Sequence, residues 1–270
     1  QRYGDARIHG SVITNACVSG RCSHRGPNVA QIPRVGQPYG AECRALFHAP
    51  HGWRQVGCDA SGLELRALGA QLAYFDGGEY SKLVSKEDFD IHTHNAKLFG
   101  IYDGKEEITK STRELAKRLI YSVLYGGGPY RVGSILDPSL SERKQKEIGY
   151  ETIDTFYKNL PAIKKLKDKV DEKVTQRGYL IGIDGRHLQI RSRHSALNQL
   201  LQSTGSLCVK KATCILYEDC KENHLRWGIH YAFVAHIHDE IQALVKPQHV
   251  SLYKKLAVDC FRKSGEYFNL

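Results

Sequence analysis

AFVAHIHDEIQALV, residues 232–245, decides how the chain is read. Its right half has the apolar content of a buried strand, yet Asp239 and Glu240 stand side by side in its middle. Burying one unpaired carboxylate is costly or forces protonation, and two adjacent ones are worse. Either the chain turns there or something positive meets the pair. Asp239-Glu240 fits a tight turn between two strands, AFVAHIH and IQALV. A turn alone does not account for flanks so apolar.

The chain has 270 residues, 41% of them hydrophobic. That is ample for one large domain or two subdomains. No apolar run approaches the roughly 20 residues of a membrane span, so no membrane partner is expected. No charged stretch followed by an apolar one opens the chain as a secretion signal would. The formal net charge is +10. Such a balance favours a polyanionic partner, nucleic acid before acidic membrane. A soluble protein that happens to be basic is the plain alternative. Cys17, Cys22, Cys43, Cys58, Cys208, Cys214, Cys220 and Cys260 form no CxxC and no Cys/His cluster with zinc spacing. They read as reduced thiols of a cytoplasmic protein. The chain contains no Met, opens QRYGDARIHG and closes EYFNL. A piece of a longer polypeptide, open at both ends, is expected.

Residues 1–58 are rich in Gly, Pro and polar residues, with strand-like pieces at RIHGSVI and RQVGCDA. From Leu63 the apolar spacing turns helical. KSTRELAKRLIYSVLY reads as a helix opened by Ser111 or Thr112 and closed by Gly126-Gly127-Gly128-Pro129. Residues 141–177 read as two helices broken at Pro161, with lysines on a solvated face. YLIGIDGRHLQIRS alternates around Asp184-Gly185, a hairpin signal. A helix from Ser195 to Asn223 precedes the opening stretch, and a last one, HVSLYKKLAVDCFRKSG, follows it. The fold class is α+β.

Three constellations carry chemistry. In VGCDASGLELR (56–66), Asp59 ends a strand-like run just before a helix bearing Glu64 and Arg66. Taken alone, a strand-end Asp is often an N-cap. In RELAKRLIYSVLYG (113–126), Arg113, Lys117, Tyr121 and Tyr125 are spaced by four and share one broad helical face. Leu115, Leu119 and Val123 lie on another, fit for packing. Two cations followed by two aromatics suit a nucleotide, phosphates on the first and base or sugar on the second. An ordinary amphipathic helix with a basic flank is the alternative. The third constellation is Asp239 itself. Adjacent strands presenting Asp239 beside Asp59 would build a site for hard divalent cations. Together with a cationic helix, the two carboxylates point to two-metal phosphoryl transfer.

These residues carry a resemblance. Asp59-Ala-Ser-Gly-Leu-Glu64-Leu-Arg66 resembles motif A of the family A (Pol I-type) DNA polymerases. Arg113-x3-Lys117-x3-Tyr121-x3-Tyr125-Gly126 resembles motif B, and His238-Asp239-Glu240 resembles motif C. SGRCSHRGPNVAQIP (19–33), DIHTHNA (90–96) and HSALNQLLQSTG (194–205) also match family wording, in the flavour of short-tailed phage replicative enzymes. The likeness covers essentially the whole chain.

The resemblance implies a right-hand polymerase fold: an antiparallel palm sheet in 1–70 and 197–270, helical fingers in 71–196, and no thumb. It implies two magnesium ions on Asp59 and Asp239, with the carbonyl of Ala60 helping and Glu240 a secondary carboxylate. Magnesium would then supply the positive charge that the opening stretch demands. Arg113 and Lys117 would bind the triphosphate of a dNTP, His92 a phosphate oxygen, and Lys117 would also protonate leaving pyrophosphate. Tyr121 would lie beneath the sugar. Tyr125 and Gly126 would stand at the template base, and Glu64 would crowd the ribose 2′ position. Arg21, Asn28, Gln31, His194, Asn198, Gln202 and His238 would line the primer-template DNA, reading minor-groove acceptors common to every correct pair. Thumb and 3′–5′ exonuclease would precede residue 1, and a host processivity factor would act through such upstream domains.

Three rival readings remain. A single-subunit RNA polymerase shares the palm, and Glu64 and Glu240 argue against it. A non-catalytic DNA-binding fragment would keep the groove without turnover. A metal-dependent nuclease would use the carboxylates but gives no reason for the Arg-Lys-Tyr-Tyr face.

Overall fold

A computed structural model describes residues 7–86 and 88–270. The chain divides into two compact units, one of residues up to Leu63 together with Gln202–Leu270, the other Glu64–Leu201.

The first unit opens with a short ribbon, β1 (Ser11–Ile13) paired antiparallel with β2 (Ser23–Arg25), and a one-turn helix follows, α1 (Gly40–Ala45). Its centre is a three-stranded antiparallel sheet whose first member is β3 (Arg54–Asp59). Along β3, Val56 is buried and Cys58 half-buried, while Gln55, Gly57 and Asp59 face solvent, the period-two alternation of a one-sided sheet.

The second unit is mostly helical. It runs α2 (Leu63–Asp76), α3 (Glu79–Val84), α4 (Ile91–Leu98), α5 (Lys110–Leu124), α6 (Pro129–Leu136), α7 (Glu142–Asn159) and α8 (Pro161–Arg177). A small hairpin of β4 (Tyr179–Ile181) and β5 (His187–Gln189) follows. Leu65, Leu68, Leu72, Leu119, Ile120 and Phe156 are fully buried there, and Phe99 stacks on Phe156 at 4.2 Å. The helix bearing the Arg-Lys-Tyr-Tyr face is capped two to three residues earlier than its sequence signals. Thr109 is the N-cap, its Oγ1 accepting from Thr112 N at 3.1 Å. Ser111 and Thr112, the expected caps, lie inside the first turn, and both hydroxyls sit 2.9 Å from that same Oγ1.

The chain then forms α9 (Ala196–Glu222), which runs into the first unit. There it is followed by β6 (Tyr231–Ile237), β7 (Glu240–Val245) and α10 (Val250–Phe268). The sheet order is β3-β7-β6, so β7 is central. Val56, Ile241, Ala243 and Val245 form one core with Val209, Leu216, Tyr253 and Cys260 from α9 and α10. Ser264 Oγ donates to the carbonyl of Cys208 and Lys263 pairs with Asp219, pinning the two helices. All eight cysteines are free thiols.

Helices α6 and α7 cross at glycines. A Cβ on Gly149 would stand 1.9 Å from the Pro129 carbonyl oxygen, and one on Gly133 would stand 1.8 Å from that of Gln145. Backbone cannot yield there as a side chain end can. Gly149→Ala should therefore lower the urea midpoint by roughly 1–3 kcal/mol of stability. Gly128→Ala, with open space around it, should stay within about 0.5 kcal/mol.

Candidate active site

The opening stretch resolves into a β6–β7 hairpin whose two loop residues are His238 and Asp239. The turn lies one residue earlier than Asp239-Glu240. His238 takes the left-handed φ of 55° that a two-residue hairpin loop requires, and Glu240 is already the first residue of β7. Ile237 faces Glu240 across the turn, and Asp59 faces Glu240 on the other side. Ala60 N donates to the Asp239 carbonyl at 3.1 Å, which fastens the end of β3 to the turn.

Three acidic residues thus share one end of the sheet. Burial, then Asp239, then Glu240 push the Asp59 carboxyl above its usual range. The donors are hard oxygens. The Ala60 carbonyl accepts a long 3.4 Å bond from Leu63 N. This donor set fits magnesium, which is commonly held by one or two carboxylates and completes its shell with substrate oxygens. Among the described residues there is no group of three or more His, Cys, Asp or Glu side chains that could hold a metal ion.

The second unit carries the cationic face on α5. Arg113 and Tyr121 are half-buried, Lys117 and Tyr125 exposed, and the two tyrosine rings lie 5.9 Å apart. Tyr125 OH donates to Glu64 Oε2 at 2.7 Å, which fixes the direction of the Glu64 carboxylate. Gly126 has φ 80°, and a Cβ there would meet the His194 carbonyl oxygen at 2.0 Å. Only glycine fits both conditions. Leu119 and Val123 of the packing stripe are buried; Leu115 is half-buried.

Sequence reasoning passed over Asp90. Its carboxylate caps α4 by accepting from His92 N (3.1 Å), and it also accepts from Thr93 Oγ1 (2.6 Å) and Arg113 Nε (2.8 Å). One side chain therefore joins the start of α4 to the first turn of α5 and aims Arg113. The signal was in the sequence: an Asp before an I-H-T run is a capping pattern. Burial would raise the Asp90 carboxyl, but the bonds from Arg113, Thr93 and His92 outweigh it and bring it to about 2. Burial, then Arg113 and Lys117, push His92 below its usual value, favouring neutral imidazole, and its buried Nδ1 has no hydrogen-bond partner.

The remaining expected DNA contacts belong to both units. In the first unit, Asn28 caps a one-turn 3₁₀ helix, its Oδ1 accepting from Ala30 N at 3.1 Å. Arg21 precedes β2, Gln31 is exposed, and Gln202 is half-buried on α9. In the second, His194 is exposed in a 3₁₀ turn, and Asn198 is half-buried on α9 with its Oδ1 unpartnered.

Two outcomes are expected. Asp59→Asn removes carboxylate repulsion, so in EDTA it should unfold at a higher temperature than the wild type. The gap should close as pH falls and wild-type Asp59 takes up its proton. Asp90, lowered from 3.8 to about 2, contributes stability in full above about pH 4 and loses it toward pH 2. Unfolding curves of wild type and Asp90→Asn should converge across that window.

Residues 1–269 match the family described as DNA polymerase family A. The DNA-directed DNA polymerase of Enterobacteria phage T3 is 37% identical over 98% of this chain, and that of Escherichia phage T7 is 36% identical over 98%. Thermostable DNA polymerase I of Thermus aquaticus is 29% identical over 87%. This chain spans 39% of the length of either phage relative. A solved structure, the POL domain of Pol1 from M. smegmatis in complex with DNA primer-template and dNTP, superposes with a TM-score of 0.80. It is 21% identical, over 97% of this chain and 46% of that one. The fold is that of a polymerase domain, and the chain belongs to DNA polymerase family A.

Proposed function

We infer that the chain carries the nucleotidyl-transfer part of a template-directed DNA polymerase, of the kind that replicates phage DNA in the host cytoplasm. The observation that supports this reading is that Asp59 ends β3 opposite Glu240 while Ala60 N bonds the carbonyl of Asp239 in the adjoining turn, at one end of an antiparallel sheet in a family A chain.

In this reading residues 1–70 and 197–270 are the palm and residues 71–196 the fingers. Asp59, Asp239 and the Ala60 carbonyl would hold two magnesium ions, with Glu240 a secondary carboxylate; such ions would supply activation of the primer 3′-hydroxyl and neutralisation of phosphate charge. Arg113 and Lys117 grip the triphosphate of a dNTP, and Asp90 keeps Arg113 pointed at it. His92 offers a ring nitrogen to a phosphate oxygen. The 3′-oxygen bonds to the α-phosphorus, the bond to pyrophosphate breaks, and Lys117 gives the leaving group a proton. Tyr121 supports the sugar, while Tyr125 and Gly126 stand at the template base. Glu64, steered by Tyr125, clashes with a ribose 2′-hydroxyl and so favours dNTP over rNTP. Arg21, Asn28, Gln31, His194, Asn198, Gln202 and His238 follow the primer-template duplex, whose binding weakens with salt. A host processivity factor would bind parts of the protein outside this chain.

Primer extension on a primed DNA template with magnesium tests this. The wild-type chain should extend with dNTP and discriminate against rNTP. Asp239→Asn should lose at least about a thousandfold in rate while keeping duplex affinity. Turnover undiminished in Asp239→Asn would sink the assignment.

A further inference from the structure

The solvent face of the central sheet carries a chain of side chains that the reaction above does not use. Gln55, Gly57 and Asp59 of β3 stand opposite Leu244, Gln242 and Glu240 of β7, so all six share one face. Gln55 Nε2 donates to Gln242 Oε1 at 2.9 Å. Gln242 Nε2 in turn donates to Glu240 Oε1. Gly57 lies beneath this link. A Cβ there would stand 2.6 Å from Gln242 Nε2 and 2.9 Å from Glu240 Oε1. The glycine leaves room for this link, and a Cβ would have to push the two side-chain ends aside.

The link decides where the third carboxylate goes. The Cα of Glu240 is opposite Asp59. A side chain projecting straight from the sheet would stand beside that aspartate. Instead its Oε1 is turned along the strand toward the next pair on the face, Gly57 and Gln242.

We propose that Gln55 and Gln242 are positioning residues that hold Glu240 back from the Asp59–Asp239 pair. The cation site is then built by two carboxylates, and the third adds negative field without ligating. Fewer protein ligands leave coordination positions for substrate oxygens. The proposal rests on the reading of Asp59 and Asp239 as cation ligands.

Mn²⁺ binding to the whole chain, followed by the paramagnetic resonance of free Mn²⁺ without DNA or nucleotide, tests it. Gln242→Leu unties the carboxylate and Gly57→Ala displaces it. Either should tighten Mn²⁺ binding by about tenfold. The gain should vanish in the Gln242→Leu/Glu240→Gln double variant, which a merely structural glutamine would not produce. If Gly57→Ala fails to fold, Gln242→Leu decides alone. Binding unchanged or weaker in Gln242→Leu, or a gain that persists without Glu240, overturns the positioning role. A wild-type chain that binds no Mn²⁺, or binds it equally well as Asp59→Asn, overturns the ligand assignment and the positioning role with it.

Discussion

Everything chemical in this chain depends on like charges kept close. Asp59, Asp239 and Glu240 meet at one end of a sheet because the β3–β7 register sets Asp59 opposite Glu240, and the hairpin puts Asp239 at the turn. Coulomb repulsion works against that arrangement at every pH where the acids are ionised. The fold tolerates it because the opposite face of the same strands is densely packed. Val56, Ile241, Ala243 and Val245 lie in one core with α9 and α10, so the strands cannot spread to relieve the charge. A polar edge under strain and an apolar face that supplies rigidity are the two sides of one structure.

A similar exchange holds on α5. Its buried stripe of Ala116, Leu119, Ile120 and Val123 fixes the helix, so the opposite side can afford exposed cations. Arg113 is the instructive case. A guanidinium near a helix start is badly placed for the helix dipole, and Asp90 compensates by accepting from it at 2.8 Å.

Much of this was legible in the sequence, and for identifiable reasons. Long helices announced themselves: Pro161 begins α8 where the break was expected, and Asp184-Gly185 lies between β4 and β5. The family's motifs sat on the expected elements, Asp59 at a strand end and Asp239 at a hairpin. The short helices α1, α3, α4 and α6, of six to eight residues, were not legible. Two turns are too few for a period to emerge from composition. Thr109 was missed because three hydroxyl residues compete for one cap. Asp90 and the Gln55–Gln242–Glu240 link escaped for another reason. Each joins residues through side-chain contacts that strand pairing or helix docking creates, and no local pattern encodes them.

One further feature of the hairpin bears on how such a chain can change length. The β6–β7 pairing skips a residue between Phe233 and Ala235, and Val234 at that bulge is 47% exposed. Strand positions alternate between faces, so inserting or deleting one residue elsewhere in β6 would transpose the side chains beyond it to the opposite side. At Val234 the ladder already absorbs an extra residue. The bulge is therefore a slack link in the ladder, one residue that the pairing of β6 with β7 does not use.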